Sequence, residues 1–244
     1  VAAPPVRGSV GVFVRRVGPP HAVTLRSSDA APGAVRLVLA SASPARLSVL
    51  RGAGVEPIVR VSGVDEDALT AALGPSVTSE TVVTELARAK AAAVAETFAD
   101  STDDLVIVGC DSMLAIGGEL HGKPHSVEVA RERWQSMAGN SGELLTGHAV
   151  LRVTDGVVVA QAAAHSTTVV HFATPSSVDL EAYLDSGEPL SVAGAFTLDG
   201  LGGWFVDRIE GDPSSVIGIG LPLVRTLLTR VGTSLAALWD GTAS

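Results

Sequence analysis

Two short runs without a polar residue, Leu37-Val38-Leu39-Ala40 and Leu105-Val106-Ile107-Val108, constrain this chain more than any other feature. Four consecutive apolar residues leave no water-facing side on an extended segment, so each run reads as a buried strand. A helix signal follows the first run at once. Ser43 offers an N-cap, Pro44 suits the first helical position, and Leu47 and Leu50 begin an apolar stripe that Gly52 or Gly54 stops. A second strand is expected over 56–61 and a second helix over about 79–98. Ser126 caps a third helix with Val127, Ala130, Trp134 and Met137 on one face.

Past residue 144 the pattern changes. Leu144 to Val153 reads as a strand, Asp155-Gly156 as a tight turn, and Val157 to Phe172 as one long strand or two. A short helix is expected over 177–185, and a glycine-rich stretch from Gly194 to Gly220 precedes a final helix over 221–238. The mixture predicts an α/β fold on a mixed sheet rather than a purely parallel one. No internal repeat and no coiled-coil pattern is present.

Residues 1–35 differ from the rest. They hold Pro4, Pro5, Pro19, Pro20, Pro32 and the pair Ser27-Ser28 with little periodicity, and the apolar run Val10 to Val14, followed by Arg15 and Arg16, is too short for a signal-peptide core. This segment is expected to be a disordered extension before a domain spanning 36–240, and a start assigned too far upstream explains it equally well. No stretch reaches the roughly 18 apolar residues a membrane span needs, so none is expected. A formal net charge of −9 excludes non-specific nucleic-acid binding as a main role, yet leaves room for a phosphorylated small molecule where a few cations converge. Cys110 is the only cysteine, so neither a disulfide framework nor a cysteine-rich zinc site is available, which suits a reducing cytoplasm.

Five segments hold residues suited to chemistry. Ser41-Ala42-Ser43-Pro44-Ala45-Arg46 lies between a strand and a helix, where backbone N–H groups and the helix dipole favour an anion; ordinary capping with a surface arginine explains the same residues. Lys90 falls on an apolar stripe with Val83, Leu86, Ala87 and Val94, so its charge either meets an anion or snorkels at the stripe's edge. Asp111 follows the second apolar run, at the expected carboxyl end of a strand, where ligands of open α/β sheets gather; a turn aspartate is the plainer reading. In His121-Gly122-Lys123-Pro124-His125 the glycine admits close backbone approach and the lysine supplies charge, while the interposed Gly and Pro argue against a histidine metal site. Asp65-Glu66-Asp67 is an acidic cluster able to serve Mg²⁺ or Mn²⁺ or to sit in a solvated loop.

Taken in order, these segments resemble the Maf family of nucleotide pyrophosphatases. The resemblance rests on Ser41-Ala42-Ser43-Pro44-Ala45-Arg46, Asp65-Glu66, Ala89-Lys90-Ala91, Cys110-Asp111-Ser112, Gly122-Lys123-Pro124, Thr146-Gly147, Ala193-Gly194-Ala195-Phe196, Gly211-Asp212 and Leu221-Pro222. It covers about residues 36 to 238. It implies an elongated mixed-sheet α/β fold with a cleft between two lobes, shared with the inosine-triphosphate pyrophosphatases. It implies hydrolysis of nucleoside triphosphates to monophosphate and pyrophosphate with a divalent cation, Mg²⁺ or Mn²⁺, and a role in clearing non-standard nucleotides. Asp111 then aligns with the general base and, with Glu66, serves the metal. Arg46, Lys90 and Lys123 align with cations on the triphosphate, and Ser41 and Ser43 with phosphate-loop donors. Ala45, Ser112 and Asp199 stand at positions linked to base choice in the family and depart from its pattern, so neither of its known base preferences is implied here. The expected partner is the substrate itself, with a homodimer admissible. Two rivals are a nucleotide-responsive regulator of cell division with little turnover and a phosphatase releasing orthophosphate. The retained Asp111 and Lys123 favour the pyrophosphatase.

Overall fold

The computed structural model describes residues 35–239. They form one mixed seven-stranded sheet, ordered β2-β1-β3-β5-β6-β7 with β4 paired to β3 off that path, flanked by eight α-helices. The strands are β1 (Arg36–Leu39), β2 (Ile58–Val59), β3 (Asp104–Ile116), β4 (Glu119–His121), β5 (Ser141–Thr154), β6 (Val157–Phe172) and β7 (Val206–Glu210). The helices are α1 (Pro44–Gly52), α2 (Glu66–Leu73), α3 (Ser79–Glu96), α4 (Val127–Met137), α5 (Ser177–Asp185), α6 (Pro213–Ile217), α7 (Leu221–Arg230) and α8 (Leu235–Trp239). The two apolar runs pair in parallel, Val38 opposite Ile107, and the remaining main-sheet partners of β3, β5 and β6 are antiparallel. No helix among the described residues is long and apolar enough to cross a membrane.

The expected alternation holds, with four corrections. The strand read over 105–108 runs for 13 residues, because β5 continues the ladder through Ala115; Asp111 therefore lies inside a strand and not at its carboxyl end. The acidic triplet is no loop: the Asp65 side chain accepts from the Ala68 N–H and caps α2, whose acidic first turn suits the helix dipole. The helix expected over 221–238 is two helices. The Thr233 N–H reaches back to the Leu228 carbonyl at 2.9 Å and Gly232 takes φ +76°, which ends α7 in a left-handed cap. β7 was not expected within the glycine-rich stretch. The segment read as an extension lies outside the described residues except for Val35, which is 7 % exposed and packs in the core.

Cores lie on both faces of the sheet. Leu37, Leu39, Val106, Val108 and Cys110 pack beneath α7 with Leu50 and Val224, whereas Val38, Ile107, Ala149 and Leu151 pack beneath α3 with Ala87 and Val94. A third cluster around Trp134, Phe172, Tyr183 and Phe196 forms the second lobe with α4 and α5. Its aromatic rings meet edge to face, Trp134 with Phe172 at 5.8 Å between centroids and Phe172 with Phe196 at 4.9 Å. β3, β5 and β6 run through both lobes. One edge of β3 pairs with β5 along almost its whole length; the other pairs with β1 over Leu105–Val108 and with β4 over Leu114–Ile116. Among the described residues, 109–113 have no strand partner on that second edge, and this gap falls between the lobes, where the cleft is expected.

Candidate active site

Asp111 sits at the middle of the gap, 4 % exposed. Successive side chains on a strand point to opposite faces, so Asp111 faces α3 while Cys110 and Ser112 face α1. On the α3 side the Lys90 ammonium donates to Asp111 Oδ1 at 2.6 Å and lies 2.8 Å from Glu66 Oε1, bridging the two carboxylates. Lys90 is 7 % exposed, so of the two readings of its position the anion-bound one is realised. Asp111 Oδ2 is buried with no hydrogen-bond partner among the described residues. Burial pushes the Asp111 carboxyl above its ordinary value of 3.8, against the opposing pull of Lys90 and, more weakly, Arg46.

What brings Lys90 over Asp111 is the absence of two side chains. Gly147 lies directly opposite Asp111 on β5, and a Cβ there would come 2.0 Å from the Val83 carbonyl oxygen of α3. Gly109 on β3 would likewise meet the Ala87 carbonyl oxygen at 2.3 Å. The helix backbone rests on the strands at these two points, and no larger residue fits beneath it.

On the other face Arg46, in the first turn of α1, reaches three segments. Its Nε donates to the Gly218 carbonyl at 2.8 Å, Nη1 to the Cys110 carbonyl at 2.9 Å and to Ser41 Oγ at 3.1 Å, and Nη2 to Ser112 Oγ at 3.3 Å. A guanidinium has five N–H donors, so one is left for a ligand. Ser112 continues to Thr146 Oγ1 at 3.1 Å, which donates to the Ser215 carbonyl at 3.0 Å. Ser43 spends its hydroxyl on the Arg46 backbone N–H at 3.4 Å, capping α1 as a common N-cap does.

His148 supports this face from beneath. Its Nε2 accepts from the Gly220 N–H at 2.8 Å, so its Nδ1 carries the proton facing the Thr146 carbonyl at 3.1 Å. Complete burial, aided by the Arg46 charge, depresses its pKa from 6.5 to about 3. Between those values the unfolded chain binds the proton and the folded one does not. Stability is therefore fully present above pH 6.5 and falls as the pH drops through that window, by up to roughly 1.4 kcal/mol per unit. His148→Gln is expected to flatten this decline, measured as the difference in Tm between pH 7 and pH 5. An unchanged slope would show that another group carries the acid sensitivity.

Arg46, Lys90, Glu66, Asp111, Ser41 and Ser112 are thus brought together around the gap. Lys123 and Asp199 are not joined to them by any contact among the described residues: both are exposed, Lys123 two residues past β4 and Asp199 in the loop after Phe196. These two segments share the second lobe, where the Gly194 N–H donates to the Gly122 carbonyl at 3.1 Å and Trp134 Nε1 to the Ala195 carbonyl at 2.9 Å. Glu188 shapes the Asp199 loop by accepting from the N–H groups of Leu201 and Gly202, each at 3.1 Å. Sequence reasoning passed over Gly109, His148, Gly218 and Glu188. Gly109 alone carried a signal, a lone glycine within an otherwise apolar strand.

The family described as Maf-like protein matches residues 36–231, and the match contains every one of these residues. The chain belongs to the Maf family. A protein of Rhodococcus opacus (strain B4) named nucleoside triphosphate pyrophosphatase is 72 % identical over 203 residues, covering 83 % of this chain and 95 % of that one. A second of the same name, from Mycobacterium marinum (strain ATCC BAA-535 / M), is 60 % identical over 208 residues, covering 84 % and 96 %. In this Maf chain, Ser112 is bonded to Arg46 and Thr146, whereas Ala45 presents no polar side chain beside Arg46. Three or more His, Cys, Asp or Glu side chains do not converge anywhere among the described residues. Asp111 and Glu66 nevertheless suit a hard cation. A phosphate-bound Mg²⁺ takes only one or two protein carboxylates, and Asp111 Oδ2 is a buried acceptor with nothing to accept.

Proposed function

We propose that this chain hydrolyses nucleoside triphosphates at the α-phosphorus, giving the monophosphate and pyrophosphate, and that non-standard nucleotides are among its substrates. One observation carries the reading. A buried carboxylate, Asp111, stands in the open edge of a strand with one oxygen held by Lys90 and the other unclaimed, in a chain whose relatives bear the name nucleoside triphosphate pyrophosphatase.

Asp111 orients the attacking water and takes its proton; a carboxyl raised above its ordinary value is a stronger base once ionised than an exposed aspartate. Lys90 holds that carboxylate in place through Oδ1 and leaves Oδ2 to the water or a cation. Arg46 offers its remaining N–H, and Lys123 its exposed ammonium, to the phosphate oxygens, whose charge grows on the leaving pyrophosphate. Asp111 and Glu66 would hold Mg²⁺ or Mn²⁺, which supplies charge neutralisation of the triphosphate. Asp199, at the tip of the loop fixed by Glu188, is our candidate for contact with the base.

The test is product analysis across a panel of standard and modified triphosphates. Pyrophosphate with the monophosphate is expected. Orthophosphate would make the protein a phosphatase, and nucleotide binding without turnover would favour a regulatory role. Lys90→Ala is expected to raise KM and to lower kcat/KM on the order of 10²-fold. Unchanged KM and kcat would reduce Lys90 to a structural part.

A further inference from the structure

Most of the positive charge on the first-lobe side of the gap is already spent. The Lys90 ammonium lies between Asp111 and Glu66, and Arg46 has one N–H left after its bonds to Gly218, Cys110, Ser41 and Ser112. A triphosphate held there needs further cations from the second lobe. Helix α4 carries two arginines. Arg131 is taken up by Glu181, to which it donates at 2.8 and 2.7 Å. Arg133 is half-buried, and its side chain makes one hydrogen bond among the described residues, from Nη1 to the Gly122 carbonyl at 2.6 Å. Burial holds its pKa below the ordinary value of 12.5, and no carboxylate among the described residues pairs with it to offset that cost. The other N–H groups of its guanidinium are unused.

The carbonyl that Arg133 holds lies at the border of the gap. β4 runs antiparallel to β3 with His121 opposite Leu114, so the chain leaving β4 heads toward Met113 and Ser112, the open stretch. It stays close to β3. The Gly194 N–H donates to the same Gly122 carbonyl at 3.1 Å, and Gly194 sits so tightly on Leu114 that a Cβ would come 2.8 Å from that side chain. The Arg133 charge also reaches His121, whose pKa lies below its ordinary value of 6.5 through burial first and that neighbouring charge second. Lys123, next along the chain from Gly122, is exposed. We propose that Arg133 is a phosphate-binding residue, forming with Lys123 a two-cation subsite for the β- and γ-phosphates, the part that leaves as pyrophosphate. The assignment rests on the pyrophosphatase reading for the identity of its ligand. A guanidinium suits the role, since its planar fork meets phosphate oxygens two at a time. An unpaired cation already part-way out of water also gives up little hydration when it meets an anion.

Titration calorimetry on the full chain, with inorganic pyrophosphate and Mg²⁺, tests this without turnover. Arg133→Gln is expected to weaken pyrophosphate binding by roughly tenfold to a hundredfold, the loss of a charge-assisted contact, and to leave nucleoside monophosphate binding within about twofold. Arg131→Gln, on the same helix, should change neither. A cycle with Lys123→Ala separates contact from support. If Arg133 only steadied the loop that bears Lys123, replacing it would cost nothing more once the lysine is gone, whereas a further loss of about fivefold or more is expected. Should Arg133→Gln fail to fold, Arg133→Lys keeps the charge and a donor for Gly122 but forfeits the fork, and a loss of about threefold or more is expected. A parent chain that does not bind pyrophosphate would overturn the proposal. So would an Arg133 variant that binds it as tightly as the parent, a loss shared equally by the monophosphate, or a cycle with no further loss. Orthophosphate released by a chain that binds pyrophosphate through Arg133 would overturn the reading of the reaction and leave the subsite standing.

Discussion

Asp111→Asn is expected to lose about 10²- to 10⁴-fold in kcat, the range a positioned base contributes, while the folded state survives unharmed. The two halves of this expectation come from the same burial. The carboxyl is held above its ordinary value, so folding makes ionisation of Asp111 harder than in the unfolded chain. For a raised carboxyl the native state binds the proton more tightly than the unfolded one. Stability is thus lost as pH rises through the folded-state pKa, and at neutral pH the ionised Asp111 costs free energy. Asparagine has the same shape, stays neutral and removes that cost, and Lys90 keeps Glu66 as its counter-charge at 2.8 Å. Thermal unfolding should therefore give a Tm equal to or above that of the parent, with pyrophosphate release measured on the same sample. Turnover near that of the parent would remove Asp111 from its role. A large fall in Tm would make the lost activity uninformative, in which case Asp111→Ser serves as the second variant.

The larger structural effect belongs to a residue with no side chain. Gly147→Ala would drive a methyl to 2.0 Å from the Val83 carbonyl oxygen and 2.3 Å from its carbon. Both are backbone atoms in the interior of α3, which cannot turn aside as a flexible side chain does, so the helix must lift or the strand must bend. Overpacking of this kind costs about 3 kcal/mol or more, which in a domain of this size lowers Tm by roughly 6–12 °C. Activity should fall beyond what unfolding explains, because Lys90 rides on the displaced helix and a shift near 1 Å in a positioning group costs on the order of 10²-fold. Gly52→Ala is the control: a Cβ there meets nothing within 4 Å, and alanine suits the last turn of α1. If Gly147→Ala unfolds like Gly52→Ala, α3 does not bear on the strands as described.

The parts of this site that announce themselves in the sequence are those fixed by neighbours along the chain. Ser43 and Ser126 cap their helices through the N–H three residues on, and the inward position of Lys90 follows from its spacing to Val83, Leu86, Ala87 and Val94. What stayed hidden depends on distant partners. Cys110-Asp111-Ser112 interrupts an apolar run and so looks like a strand's end, yet β5 carries the ladder past it to Ala115. α2 buries none of its residues and β7 exposes most of its own, so neither shows an apolar period to read. Roles assigned to Lys123 and Asp199 rested on family resemblance, and no contact among the described residues ties either to Asp111.

Arg46 has a consequence for how the protein comes into being. Its acceptors lie 64 residues away at Cys110 and 172 residues away at Gly218. The Gly218 pairing cannot form until nearly the whole domain has left the ribosome, whereas Cys110 is made far earlier. A chain cut before Gly218 lacks that bond and helices α7 and α8 with it, so this face of the pocket is among the last parts of the fold to be completed.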